Sequence, residues 1–173
     1  MRSLIPAGAC TLLVCALAAC GGGGGKSTPK AQTINGASFR FQAPGDWHVV
    51  HRNGVASASP SPTSPELVSV SITRTLKNYE PSLFTKAIPE LDSLAADYAR
   101  RLGGGVDTSS TIKILGQPFR QYTLHYGNPG KELSERITFV FNLRTEYQLL
   151  CQWKSSDQEP SACAQLTSTF TRT

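Results

Sequence analysis

From Ala37 onward, apolar and polar residues alternate in short runs, the two-residue period of half-buried strands. The stretch "ASFRFQAPGDWHVVHRNGVASAS" predicts two or three strands. Asn53-Gly54 within it predicts a tight hairpin, because both residues tolerate positive φ. "SPSPTSP", Ser59 to Pro65, can neither pair in a sheet nor form a helix and predicts an exposed loop. In "ELVSVSITRT", Val68, Val70 and Ile72 face one way, with Ser69, Ser71 and Thr73 opposite. Four more strands are expected later. Ile112 and Ile114 mark the first, and Tyr122, Leu124 and Tyr126 the second, which ends at "GNPGK". Ile137, Phe139, Phe141 and Leu143 mark the third, while "EYQLLCQW" sets Tyr147, Leu149, Cys151 and Trp153 on one face of the fourth.

Two segments change to the helical period. "IPELDSLAADYARRLGGG" places Leu91, Leu94, Ala95, Tyr98 and Leu102 on one stripe. Pro89 suits its first turn, and Gly103 to Gly105 end it. A short terminal helix entered through "DQEPSA" sets Cys163, Leu166 and Phe170 at i, i+3 and i+7. That stripe turns Cys163 toward the strand face carrying Cys151. The fold class expected is therefore α+β: an antiparallel β-sheet meander flanked by helices, with no internal repeat.

Ahead of this pattern lies a different one. Arg2 precedes an apolar run from Leu4 to Ala19 that ends in small residues, which predicts a signal peptide over 1–19. Pro6 and Gly8 interrupt the run, which is too short for a spanning helix. Leu17-Ala18-Ala19-Cys20 resembles the bacterial lipobox, and the resemblance implies cleavage before Cys20 and a diacylglycerol thioether on its sulfur. Two acyl chains give lasting attachment where one gives only marginal binding. Residues 20–36 then read as a lipidated cysteine followed by a Gly/Ser/Pro tether with a root-mean-square reach of roughly 20–25 Å. Gly25-Lys26-Ser27 also matches the tail of a phosphate-binding loop. Cys20 stands where that motif needs its first glycine, no strand leads in, and Pro29 makes a poor helix start, so nucleotide binding is not expected.

Without the signal peptide 154 residues remain, and 37–173 is expected to form one domain. The full chain has 17 basic and 12 acidic residues, a formal +5 that falls to +4 when Arg2 leaves. This favours proximity to anionic lipid or wall polymer without making a nucleic-acid stripe. The expected partners are the membrane, through the N-terminal lipid, and an envelope protein or lipid, with the chain itself a monomer. Of five cysteines, Cys10 and Cys15 leave with the signal and Cys20 is acylated. Cys151 and Cys163 remain as an even pair in an oxidising setting and are predicted to be bridged.

Catalytic chemistry is not expected. His48 and His51, three apart on a strand, point to opposite faces, and His125 lies on another strand, so no metal or other cofactor is predicted. No G-x-S-x-G turn is present, and Glu90, Asp92 and Asp97 read as the solvated face of the long helix. The candidate binding face is the polar side of the late strands: Gln121, Thr123 and His125, then Arg136 and Thr138, then Gln148 and Gln152. The alternative for these residues is an ordinary solvated sheet face.

Phe41-x-x-Pro44-x-x-Trp47, a long helix before a late meander, and a final helix ending in Ser168-x-Phe170 resemble the PsbP/Mog1-type α/β/α sandwich, whose exported members include LpqN-type lipoproteins. The resemblance covers about Ala37 to Arg172. It implies a central antiparallel sheet flanked by helices and a non-enzymatic role in binding or assembly, and it transfers no functional residue. Three roles follow as expectations: a lipid-anchored binding module, a carrier or sensor holding a hydrophobic ligand between sheet and helix, and an envelope hydrolase built around His125 or His48.

Overall fold

Asn53 and Gly54 adopt φ values of 48° and 79° and reverse the chain between two strands, as their pairing in the sequence predicts. In the computed structural model, which describes residues 30–173, this hairpin belongs to one of two antiparallel sheets. The signal segment, Cys20 and the glycine run lie outside the described residues. The smaller sheet has the order β1-β2-β9, with β1 at Ala31–Asn35, β2 at Phe39–Pro44 and β9 at Thr171–Arg172. The larger has the order β3-β4-β5-β8-β7-β6. Its strands are β3 (His48–Arg52), β4 (Val55–Ser59), β5 (Leu67–Tyr79), β6 (Gly105–Ile114), β7 (Gln117–Tyr126) and β8 (Leu133–Lys154). Helix α1 spans Phe84–Arg101 behind a 3-10 turn, Pro81–Leu83, and α2 spans Ser161–Thr169.

Residues 31–35, expected as the end of the tether, form β1 instead. Ile34 lies opposite Phe41 and is buried, and Gln32 Nε2 donates to the Pro44 and Trp47 carbonyls at 2.9 and 2.7 Å. The main-chain ladder with β2, one apolar side chain and one satisfied amide together hold a strand too short to show alternation. The final residues likewise pair with β2, through Phe39↔Arg172 and Arg40↔Thr171.

Helix α1 begins four residues before Ile88, so Pro89 sits inside it rather than in its first turn. The proline and Thr85, whose carbonyl it leaves without an intrahelical donor, are both exposed, where water replaces the bond. The buried stripe is Phe84, Leu91, Ala95 and Ala99. Leu94 and Leu102, expected on that stripe, are exposed. Two alanines with no exposed surface let the helix backbone lie close to Tyr122, Leu124, Ile137 and Phe139 of the sheet.

β8 runs through 22 consecutive extended residues, which would reach about 70 Å if straight. Yet the Ser155 N–H donates to the Glu132 carbonyl at 3.0 Å. The run is therefore a hairpin that reverses at Leu143, where φ is 52°, and its outgoing and returning arms are the two strands expected from the sequence. Ile137 and Phe139 of the outgoing arm pack under α1. Val140 joins Tyr147, Leu149, Cys151 and Trp153 in the core on the opposite side, with α2 and the small sheet. The larger sheet is thus covered on both faces, by α1 on one and by α2 with the small sheet on the other.

The Cys151–Cys163 disulfide staples α2 to the returning arm of β8, with Cα atoms 5.3 Å apart. Both cysteines are buried.

Candidate functional site

The seven residues expected to share one polar face do not all share it. Gln121 lies opposite Thr138, Thr123 opposite Arg136, and His125 opposite Ser134 across β7 and β8, so five of the seven stand together on the α2 side of the sheet. Gln148 and Gln152 stand on the other side: Tyr126, which faces α1, is hydrogen-bonded to Gln152 at 2.8 Å. The reason is the tight reversal at Leu143, across which the alternation changes phase. Even-numbered residues of the outgoing arm therefore share a face with odd-numbered residues of the returning arm.

The five that do gather are not an open surface. Thr138 is buried and its hydroxyl accepts from Gln121 Nε2 at 3.0 Å. Arg136 makes a bidentate ion pair with Glu159, which draws the segment before α2 against the sheet. His125 is exposed and meets Asp107 through Nδ1. Its ring leans over Gly105, where a Cβ would come within 3.2 Å of it. His48 and His51, both exposed, stay on β3.

A concavity of about 450 Å³ opens elsewhere, between the β2–β3 turn and α2. Trp47 and Asp46 line it from the β2–β3 turn, Glu66 from the entry to β5, and Pro160 and Gln165 from α2. The turn that presents Trp47 is closed by its N–H on the Pro44 carbonyl at 3.2 Å, so two residues of the Phe-x-x-Pro-x-x-Trp pattern form one wall while Phe41 is buried beneath. A second concavity of about 300 Å³ continues from Glu66 and Pro160 to Trp153 and Asp157. Burial, and then the negative charge of Asp157, push the Glu66 carboxyl above its usual range. The two concavities share Glu66 and Pro160, with Trp47 lining the first and Trp153 the second.

Two polar clusters hold α1 to the sheet. Asp92 accepts from Arg120 Nε at 3.2 Å, from Arg120 Nη2 at 2.9 Å and from the Tyr122 hydroxyl at 2.7 Å. Desolvation raises its pKa, but the Tyr122 and Arg120 bonds and the guanidinium charge outweigh this and leave it lowered. The second cluster surrounds Glu135, which is 1% exposed. Its Oε2 lies 2.7 Å from the Tyr126 hydroxyl, and its Oε1 has no hydrogen-bond partner among the described residues. Desolvation pushes the Glu135 carboxyl up against the opposing influence of Tyr126 and Tyr98. Burial, with the nearby Glu135 charge, takes Tyr98 up to about 12. The sequence carried a signal for this cluster, since Glu135 is in phase with Ile137 and Phe139 on an apolar face.

The seam between α1 and the sheet, where a hydrophobic ligand would insert, is filled by Leu91, Ala95, Ala99, Tyr122, Leu124, Ile137 and Phe139. No helix among the described residues is long and apolar enough to cross a membrane.

No protein-family model matches the sequence, and no curated protein aligns with it significantly. Its fold is similar to solved structures at low identity. Cyanobacterial PsbP from Synechocystis superposes with a TM-score of 0.60 at 14% identity, covering 87% of this chain and 96% of that one. LpqN of Mycobacterium tuberculosis, a protein involved in cell envelope biogenesis, superposes at 0.53 and 13% identity, covering 83% and 91%. A Bacteroides thetaiotaomicron protein superposes at 0.54 and 11% identity over 84% of this chain, which spans about half (49%) of that protein. The α+β fold is thus PsbP-like, as the Phe41, Pro44 and Trp47 pattern implies.

Proposed function

We propose that the protein is a lipid-anchored module of the bacterial cell envelope that acts by binding, without chemistry of its own. The observation that carries the reading is the buried Cys151–Cys163 bond, because disulfides form and persist outside the cytoplasm. The fold shared with an envelope biogenesis protein supports the same compartment. The lipobox Leu17-Ala18-Ala19-Cys20 supplies the anchor, and the strand start at Ala31 shortens the tether to about ten residues beyond Cys20. Such a tether has a root-mean-square reach of roughly 15–20 Å. The domain therefore works close to the membrane surface.

The polar groups with chemical potential are engaged in holding the fold: Arg120 and Tyr122 with Asp92, Arg136 with Glu159, and Tyr126 with Glu135. His125 and Asp107 form an exposed pair on the sheet surface. These placements favour a binding role over a hydrolase, and the filled α1 seam favours it over a carrier. Replacing Cys20 by Ser tests the anchor. The variant is expected in the soluble exported fraction, whereas unchanged membrane partitioning contradicts it.

A further inference from the structure

The larger sheet has two end strands, and the sequence treats them differently. β6 carries a bulge between Val106 and Thr108, and its run from Asp107 to Thr111 is polar and exposed. Bulges and polar runs are the usual means by which an end strand avoids pairing with another chain. β3 has no bulge, and Val49 and Val50 interrupt its polar residues. It pairs with β4 in unbroken register from His48↔Ser59 to Arg52↔Val55, and all five of its residues are exposed. Val49 and Val50, 37% and 49% exposed, place an apolar side chain on each face of the strand.

The backbone of β3 is directed as pairing requires. In a two-residue hairpin the residues flanking the turn exchange hydrogen bonds, and the pattern alternates along the ladder. Arg52, Val50 and His48 therefore bond to β4. Val49 and His51 aim their N–H and C=O groups outward, where the described residues supply no strand to meet them.

Charge then selects the occupant. Between Asp46 and Glu66 the chain contains no acidic residue, while β3 carries His48, His51 and Arg52. At the hairpin end of the strand lies a concavity of about 390 Å³. His51, Arg52 and Asn53 line one wall, with Gly36, Ala37 and Phe39 of the small sheet on the other. Neither Arg52 nor His51 has a carboxylate partner among the described residues. A second copy of the chain brings no carboxylate to this edge, because antiparallel pairing about Val50 sets His48 against Arg52 of the other copy.

We infer that β3 is a docking edge that takes up an extended, acidic segment of a partner protein as a seventh strand. A carboxylate of that segment enters the concavity beside Arg52 and His51. Main-chain bonds from Val49 and His51 supply affinity, and the basic end supplies orientation and selectivity. This deepens the reading of the domain as a binding module and depends on it.

The test uses the mature chain in detergent and two fluorescent nine-residue peptides, one alternating valine with glutamate and the other valine with lysine. The glutamate peptide is expected to bind at least tenfold more tightly, and Arg52→Glu is expected to reverse the order. Val49→Pro, which removes an outward N–H without touching the β4 ladder, should weaken binding at least tenfold. Amide exchange at Val49 and His51 should slow when the glutamate peptide is added. Equal binding of the two peptides, binding of neither, or protection confined to β6 or to the Trp47 groove would overturn the inference. Should Val49→Pro fail to fold by circular dichroism, Arg52→Glu and the exchange pattern still decide. Failure here, with an envelope partner cross-linked through another face, leaves the module reading standing. Failure of Cys20→Ser to release the protein overturns the anchor whatever the peptides do.

Discussion

The Tyr126 hydroxyl oxygen lies 2.7 Å from Oε2 of Glu135 and also 2.8 Å from Oε1 of Gln152. Gln152 is oriented by its Nε2, which donates to the Pro65 carbonyl at 2.8 Å, so its Oε1 can only accept. Tyr126 has one hydrogen, which these two acceptors share. Tyr98 of α1, Tyr126 of β7 and Gln152 of β8 face this carboxyl, and none carries a positive charge.

Glu135 therefore links stability to pH. Its folded pKa is raised above the ordinary value of about 4.5, chiefly by desolvation, so between the two values the folded state binds more protons than the unfolded state. The contribution is complete below the unfolded pKa and is lost as pH rises through the folded one. Glu135→Gln keeps an acceptor for the Tyr126 hydroxyl and cannot ionise. Melting temperatures from pH 4 to pH 9 should show the wild type losing ground to this variant as pH rises. Parallel curves would mean that folding leaves the Glu135 pKa unchanged.

Asp92 behaves in the opposite sense. Its folded pKa is lowered, so its contribution is present above the unfolded value and lost as pH falls through the folded one. Asp92→Ala leaves the buried Tyr122 hydroxyl and the Arg120 guanidinium without their shared acceptor. A loss of about 1–3 kcal/mol is expected in urea unfolding at pH 7. A midpoint within experimental error of the wild type would mean that water replaces the carboxylate.

Cys163→Ser should lower stability by about 3 kcal/mol in oxidising buffer, the value expected for closing a short loop. The bridged residues are 12 apart in sequence. In reductant the variant and the wild type should melt together. Equal melting in both buffers would show that the bridge is absent in solution.

Ala95 has no exposed surface and faces the α1 seam. Ala95→Leu should destabilise the fold by about 1–3 kcal/mol through overpacking. If the variant is instead as stable as the wild type and takes up a fluorescent fatty acid, the seam opens and the carrier reading returns.

Much of this fold was legible because its strands obey a strict period. Asn53-Gly54, the late strand faces and the Cys151–Cys163 pairing all follow from local chemistry. Local chemistry failed where the outcome depended on a distant partner. β1 is held by Phe41 and the Pro44 and Trp47 carbonyls, and nothing within Ala31–Asn35 announces them. The polar face divided because the alternation of each β8 arm is visible in the sequence, while the phase between the arms is set by the reversal at Leu143. The Trp47 groove was illegible for the same reason, since its walls come from residues more than a hundred positions apart.

The most direct test of the envelope assignment is the intact mass of the protein purified from the membranes of the cells that make it. The expected species begins at Cys20, carries a diacylglycerol on its sulfur, and is two hydrogens lighter for the Cys151–Cys163 bond. An unmodified chain beginning at Met1 with both thiols free would contradict it.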